Sequence, residues 1–291
     1  MGKFLWGEWS VKRLMTSIFF IYVALALFAY FFSERLIFRP PAASYQETDQ
    51  ILKLTTADRV QISATYLPHP QATYTVLYSH GNGSDLGDVL PTLQAIQAIG
   101  FSVFAYEYRG YGTSQGTPSE QGTYRDIDAA YAYLTETLRI PPDRILLYGW
   151  SVGGGPSVDL ATRKPIGGLI LEGTFTSTFV VMTQIPLFPF DRFNNLSKIP
   201  QVRCPILIIH GTDDRVIPFT HSQKLLAAAN EPKRFLGVQG ADHHNLIQVG
   251  GAEYAQALTD FARLVSQSRS SISQPDSNRA GDRPSEMDAQ P

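Results

Sequence analysis

The sequence predicts an α/β protein: a mostly parallel sheet of eight strands flanked by helices on both faces, with a short cap segment beside one rim. Three observations carry this. Strand-like and helix-like periodicity alternate along most of the chain, the pattern of parallel strands joined by covering helices. Each chemically suggestive motif falls just after an apolar strand-like run, and parallel strands bring such turns to the carboxyl edge of one sheet. Finally, Gly149-Trp150-Ser151-Val152-Gly153 joins a strand-like run, 144–148, to a helical stretch, 152–163.

Taken in order, the first element is apolar. From Leu14 to Phe32 nineteen residues carry no charge, and as a helix they would reach about 28 Å, close to the thickness of a hydrocarbon core. Lys12 and Arg13 precede the run, Glu34 and Arg35 follow it, and Trp6, Trp9 and Tyr30 stand where interfacial aromatics belong. A cleaved signal peptide would use Ala24-Leu25-Ala26 as its small-residue site, but the apolar run continues six residues further. That favours an uncleaved single-pass membrane anchor within residues 1–40. Lys3, Lys12 and Arg13 before the span, against Arg35 and Arg39 after it, slightly bias the N-terminus to the cytoplasm and the rest of the chain to the far side.

The second unit is expected over 45–265. Strands over 51–55 and 61–67 flank the turn at Ala57-Asp58. A strand over 73–79, a helix over 86–99, a strand over 101–107 and a helix over 124–139 follow. Further strands fall at 144–148, 168–171, 206–210 and 234–238, with helices after Ser151, around 222–229 and over 252–265. Residues 266–291 are Ser, Gln, Asp, Arg and Pro with almost no large apolar side chain, the composition of a disordered tail. Net charge is −2 and the pI about 6.3, which argues against a nucleic-acid partner. Cys204 is the one cysteine, beside the apolar run at 205–209, and reads as a buried structural thiol.

The pentapeptide around Ser151 matters because a strand-to-helix turn this tight strains the serine backbone and lifts its hydroxyl above the sheet edge. Glycines two before and two after leave room for the turn, and the amide of Val152 is free to face an oxyanion. A serine hydroxyl needs a base, and the base needs a carboxylate to hold its tautomer. His243 is the expected base and Asp214 its orienting acid; their neighbours His244 and Asp213 satisfy the spacing equally. Asp242, His243 and His244 lack the paired spacing of a zinc site, so no metal is expected. The loop Ser79-His80-Gly81-Asn82-Gly83 is positioned to supply the second oxyanion donor from the backbone of Asn82 or Gly83, with His80 shaping the loop. His69 and His221 read as surface residues. A competing pattern is Gly81-x-Gly83-x-x-x-Gly87 with Glu107 on the next strand, which approximates a dinucleotide fingerprint with the last glycine one place late.

With these residues laid out, the chain resembles the α/β-hydrolase family of serine hydrolases, and within it the membrane-associated group that includes protein depalmitoylases. The likeness is carried by 79–87, Tyr108-Arg109-Gly110-Tyr111-Gly112-Thr113-Ser114, 126–130, 145–153, 208–218 and 240–243, spanning most of 51–265. It implies the α/β-hydrolase fold, with Asp214 as acid through Gly-x-x-Asp followed by Val and Pro, and His243 as base through Gly-x-x-His. Animal members of the group attach through a cysteine-rich lipidated N-terminus, where this chain has an apolar helix and no cysteine. The expected reaction is hydrolysis of an acyl ester or thioester through an acyl-enzyme on Ser151, with no cofactor. Apolar residues between Gly173 and Lys198, Phe175 to Phe190, read either as a satellite core or as an acyl-chain entrance. A peptidase on the same triad would need a carboxylate such as Glu172 for the substrate amine. A membrane-tethered binding protein would keep the fold without the chemistry.

Overall fold

Alternation of apolar side chains within the central strands decides the layering. Leu77, Ile145, Leu147, Ile206 and Ile208 belong to one buried cluster, while Val76, Tyr78, Leu146, Tyr148, Leu207 and Ile209 belong to another. A strand buried on both faces needs a helical layer on each. In this computed structural model, which describes residues 11–273, the strands are β1 (Leu52–Thr55), β2 (Gln61–Leu67), β3 (Thr75–Ser79), β4 (Ser102–Tyr106), β5 (Ile145–Trp150), β6 (Gly168–Glu172), β7 (Ile206–Gly211) and β8 (Lys233–Val238). They form one sheet in the order β1-β2-β4-β3-β5-β6-β7-β8. The β1–β2 and β2–β4 pairs are antiparallel and the other five are parallel.

The helices are α1 (Val11–Ile37), α2 (Leu86–Ile99), α3 (Glu120–Ala132), α4 (Gly154–Arg163), α5 (Thr178–Thr183), α6 (Asn195–Lys198), α7 (Thr220–Ala228) and α8 (Leu246–Ser273). α2 and α8 cover one face through Leu93, Ile96, Leu258 and Phe261. α3, α4 and α7 cover the other through Ile127, Val158 and Leu225. The chain leaves β3 toward β4 on one side and then returns to place β5 on the other, so the carboxyl ends of β3 and β5 flank a switch point where ligands bind in open sheets.

Several boundaries differ from the sequence reading. α3 starts at Glu120, four residues early, because the Ser119 side chain accepts the Gly122 N–H at 3.0 Å and caps it. It then relaxes into one wider π-type turn, Tyr133–Thr137. α8 extends past 252–265 in both directions and absorbs a kink at Gly251 (φ 45°). The tail expected to begin at 266 is therefore helical as far as Ser273, and 274–291 lie outside the described residues. Trp6, Trp9 and Lys3 lie outside them as well. His221 is buried, not on the surface; its ring accepts the Thr176 N–H at 3.2 Å, and burial pushes its pKa down. Cys204 is partly buried, and burial pushes its thiol up to about 12.

α1 is long and apolar enough to cross a membrane, and most of its residues are exposed, Ser33 being buried. It is nevertheless attached. Phe38 immediately beyond it is buried against Phe193, and the Arg39 N–H donates to the Asn82 side-chain oxygen at 3.0 Å.

Candidate active site

Ser151 leaves the carboxyl end of β5 with φ 54°, a left-handed backbone that costs a non-glycine residue energy and is held here by its surroundings. The flanking glycines make the turn possible. A Cβ at Gly149 would lie 2.6 Å from the Gly153 carbonyl oxygen, and one at Gly153 would lie 2.1 Å from that of Ser79. The Thr174 hydroxyl donates to the Ser151 carbonyl oxygen at 2.7 Å, a buried brace.

The three turns expected at one rim do meet. His243 Nε2 lies 3.0 Å from Ser151 Oγ, and His243 Nδ1 lies 2.7 Å from Asp214 Oδ2. Burial alone would raise the Asp214 carboxyl, but hydrogen bonds from His210 and His243 outweigh it and hold it well below the usual carboxylate range. Asp214 is then an anion, so His243 Nδ1 carries the proton it donates and Nε2 is left to accept from the serine. Asp214 Oδ1 accepts the Val216 and Ile217 N–H groups at 2.8 Å each. Asp213 and His244 stand outside this chain: Asp213 accepts from Thr212, and His244 stacks edge-on against Trp150. Trp150 Nε1 in turn donates to the His243 carbonyl at 3.3 Å.

A cavity of about 480 Å³ lies beside Ser151. Val152 and Asn82 line it, whereas Gly83 does not. Phe175, Phe179, Met182 and Phe188 of the cap form one wall, and Phe28, Ala29, Ser33, Leu36 and Ile37 of α1 form another. The Asn82 side-chain oxygen accepts the Tyr111 hydroxyl at 2.7 Å as well as the Arg39 amide. His80 is fully buried 3.0 Å from Glu107, and its Nδ1 lies 2.8 Å from the Gly81 carbonyl oxygen. That pair shapes the loop carrying Asn82.

The dinucleotide pattern is overturned here. The amino end of α2, where a pyrophosphate would sit, already holds the Asp85 carboxylate, which accepts the Gly87 and Asp88 N–H groups at 3.0 Å each. Glu107 is buried, accepting the Leu86 N–H at 2.7 Å, and has no face toward a ribose. Glu172 is buried too: both the Tyr148 and Tyr254 hydroxyls donate to its Oε2. Burial pushes its carboxyl up, although those hydrogen bonds oppose the shift. Among the described residues, no group of His, Cys, Asp and Glu is arranged to hold a metal ion.

Sequence reasoning missed three participants. His210 Nε2 lies 2.9 Å from the Ile217 carbonyl and 3.2 Å from Asp214 Oδ2, so a second imidazole donates toward the acid. Its position at the end of an apolar strand was visible, but nothing local marked its role. Thr174 likewise carried no signal. The α1 wall was hidden because its apolar residues read equally well as lipid-facing.

This fold and this rim define an α/β-hydrolase. Residues 70–188 match the family model described as serine aminopeptidase, S33. The chain is 40% identical over 195 residues to the α/β-hydrolase domain-containing protein 17B of Xenopus laevis, covering 66% of this chain and 67% of that protein. It is 35% identical over 261 residues to the α/β-hydrolase domain-containing protein aho-3 of Caenorhabditis elegans, covering 78% of this chain and 76% of that one. A solved esterase of Pyrococcus furiosus superposes with a TM-score of 0.67 at 20% identity, covering 79% of this chain and 98% of the esterase. The chain belongs to the α/β-hydrolase family.

Proposed function

We propose that the protein is a membrane-anchored serine hydrolase that cleaves carboxylic ester or thioester bonds of acyl substrates. In this reading residues 1–40 are the anchor and 45–265 the hydrolase domain. Ser151 Oγ attacks the acyl carbonyl while His243 Nε2 takes its proton, and Asp214 stabilises the resulting imidazolium. The backbone amides of Val152 and of the Asn82-Gly83 loop receive the oxyanion, with Asn82 the nearer candidate of the loop pair. Collapse of the tetrahedral species expels the alcohol or thiol, which takes the proton from His243. Water, activated by the same imidazole, then frees the acid and returns Ser151 to its starting state.

The observation that carries the reading is the hydrogen-bonded series Ser151–His243–Asp214 opening onto a cavity walled mainly by Phe, Val, Leu, Ile and Met. Such a lining suits an acyl chain with its carbonyl at the polar end. The test is labelling by a fluorophosphonate followed by a panel of p-nitrophenyl esters, acyl thioesters and aminoacyl amides. Ser151→Ala should abolish labelling and cut ester turnover by about a thousandfold or more with the fold retained. Near-normal hydrolysis by that variant would refute the assignment.

The aminopeptidase description of the matched family gives a second reading some footing. It requires an open carboxylate for the substrate amine. Glu172, the expected residue, is committed to two tyrosines and buried, which favours the acyl substrate. Turnover of aminoacyl amides above that of esters would reverse this preference.

A further inference from the structure

The cap and α1 claim the same stretch of space. The Tyr22 hydroxyl donates to the Leu187 carbonyl at 3.3 Å, Tyr22 packs on Phe188, and Tyr30 packs edge-on against Phe190. The apolar run of α1 ends at Phe32, ten residues beyond Tyr22. Along a helix that is about 15 Å, roughly half of a hydrocarbon core. On the near side of Tyr22 the described helix offers only 11–21, about 16 Å, too short to cross by itself. An α1 that spans must therefore carry the cap into the apolar layer with it.

The cap has the chemistry for that. No charged residue occurs between Glu172 and Asp191. Met182, Ile185 and Leu187 are 86%, 60% and 42% exposed, an apolar surface continuous with that of α1. Irregular backbone in hydrocarbon must satisfy its own polar groups. Here Pro186 and Pro189 lack N–H groups, the Thr183 hydroxyl donates to the Ile185 carbonyl at 2.6 Å, and the Gln184 N–H donates to the Val180 carbonyl at 2.9 Å. Charge reappears at Asp191-Arg192. The Arg192 guanidinium donates to the Tyr30 carbonyl at 2.9 Å and to Ser33 Oγ at 3.2 Å, level with the end of the apolar run. Those groups mark the plane of the interface.

We propose that the segment 178–190 is a second membrane-inserted element whose partner is the lipid bilayer, and that the Ser151 cavity opens through it into the hydrocarbon layer. Acyl chains then enter sideways from the membrane while the scissile carbonyl stays at headgroup level. This rests on the reading of α1 as a membrane span, and the test separates the two. On a Cys204→Ser background, Leu25→Cys, Ile185→Cys and Lys164→Cys are each labelled with an environment-sensitive fluorophore and the full chain is reconstituted into phosphatidylcholine vesicles. Lipids with a nitroxide in mid-chain should quench the labels at 25 and 185, and leave unquenched the one at 164, exposed beside the amino ends of the strands. Quenching at 25 without quenching at 185 overturns the proposal and leaves the span standing. Quenching at 185 alone supports cap insertion and overturns the span, and quenching at neither overturns both. Ile185→Asp should lower hydrolysis of a long-chain ester presented in vesicles by about tenfold or more, with a soluble short-chain ester turned over as before. Equal loss on both substrates would overturn the proposal.

Discussion

At Asp214 two imidazoles and two backbone amides converge on one carboxylate. Its depressed pKa has a sign. An acid held below its unfolded value adds stability that is fully present above the ordinary carboxylate range near about 4. That stability is lost as pH falls through the folded value. Thermal melts of Asp214→Asn should therefore show a shallower acid limb than the parent, and its turnover should fall by about a thousandfold or more as the imidazole loses its oriented tautomer. Glu172 runs the other way. With its folded pKa raised by burial, the folded state binds more protons than the unfolded chain between the two values, so stability falls as pH rises through that window. Glu172→Gln, which keeps an acceptor for Tyr148 and Tyr254, should remove that decline in melts taken as pH rises above the ordinary carboxylate range.

Between elements, one side chain fastens the cap. Phe193 is fully buried with its ring edge-on to Phe38 at 6.0 Å and to Tyr124 at 5.9 Å, so it ties the cap's return to the exit of α1 and to α3. Phe193→Ala should cost about 3–5 kcal/mol in chemical denaturation, the range for emptying a buried aromatic site. Local chemistry made some elements readable in advance. Ser151 was legible because its glycines answer a steric demand within five residues, and the central strands because their apolar side chains alternate. α8 was cut short because Gly250-Gly251 resembles a break and Ser266 to Ser273 resembles a tail, although the helix bends at the first and continues through the second. Burial of His221 depends on Thr176, far away in sequence, and no local pattern encodes it.

At the scale of the molecule, the cavity is shared between segments more than a hundred residues apart, α1 and the cap, and neither encloses it alone. Ala29→Trp adds bulk to the α1 wall without disturbing the Ser151–His243–Asp214 geometry. Across a series of p-nitrophenyl esters it should shift preference toward shorter chains, with the longest losing about tenfold more in kcat/KM than the shortest. An unaltered chain-length profile would remove α1 from the wall. The bond from the Arg39 amide to Asn82 bears on how such an enzyme would search for substrate. α1 passes into the body through buried Phe38 without a slack tether, so an α1 that spans a membrane, as proposed, would hold Ser151 at a constant height relative to the bilayer. Encounters with lipid-borne substrates would then be confined to two dimensions, and their crowding within the leaflet would set the rate.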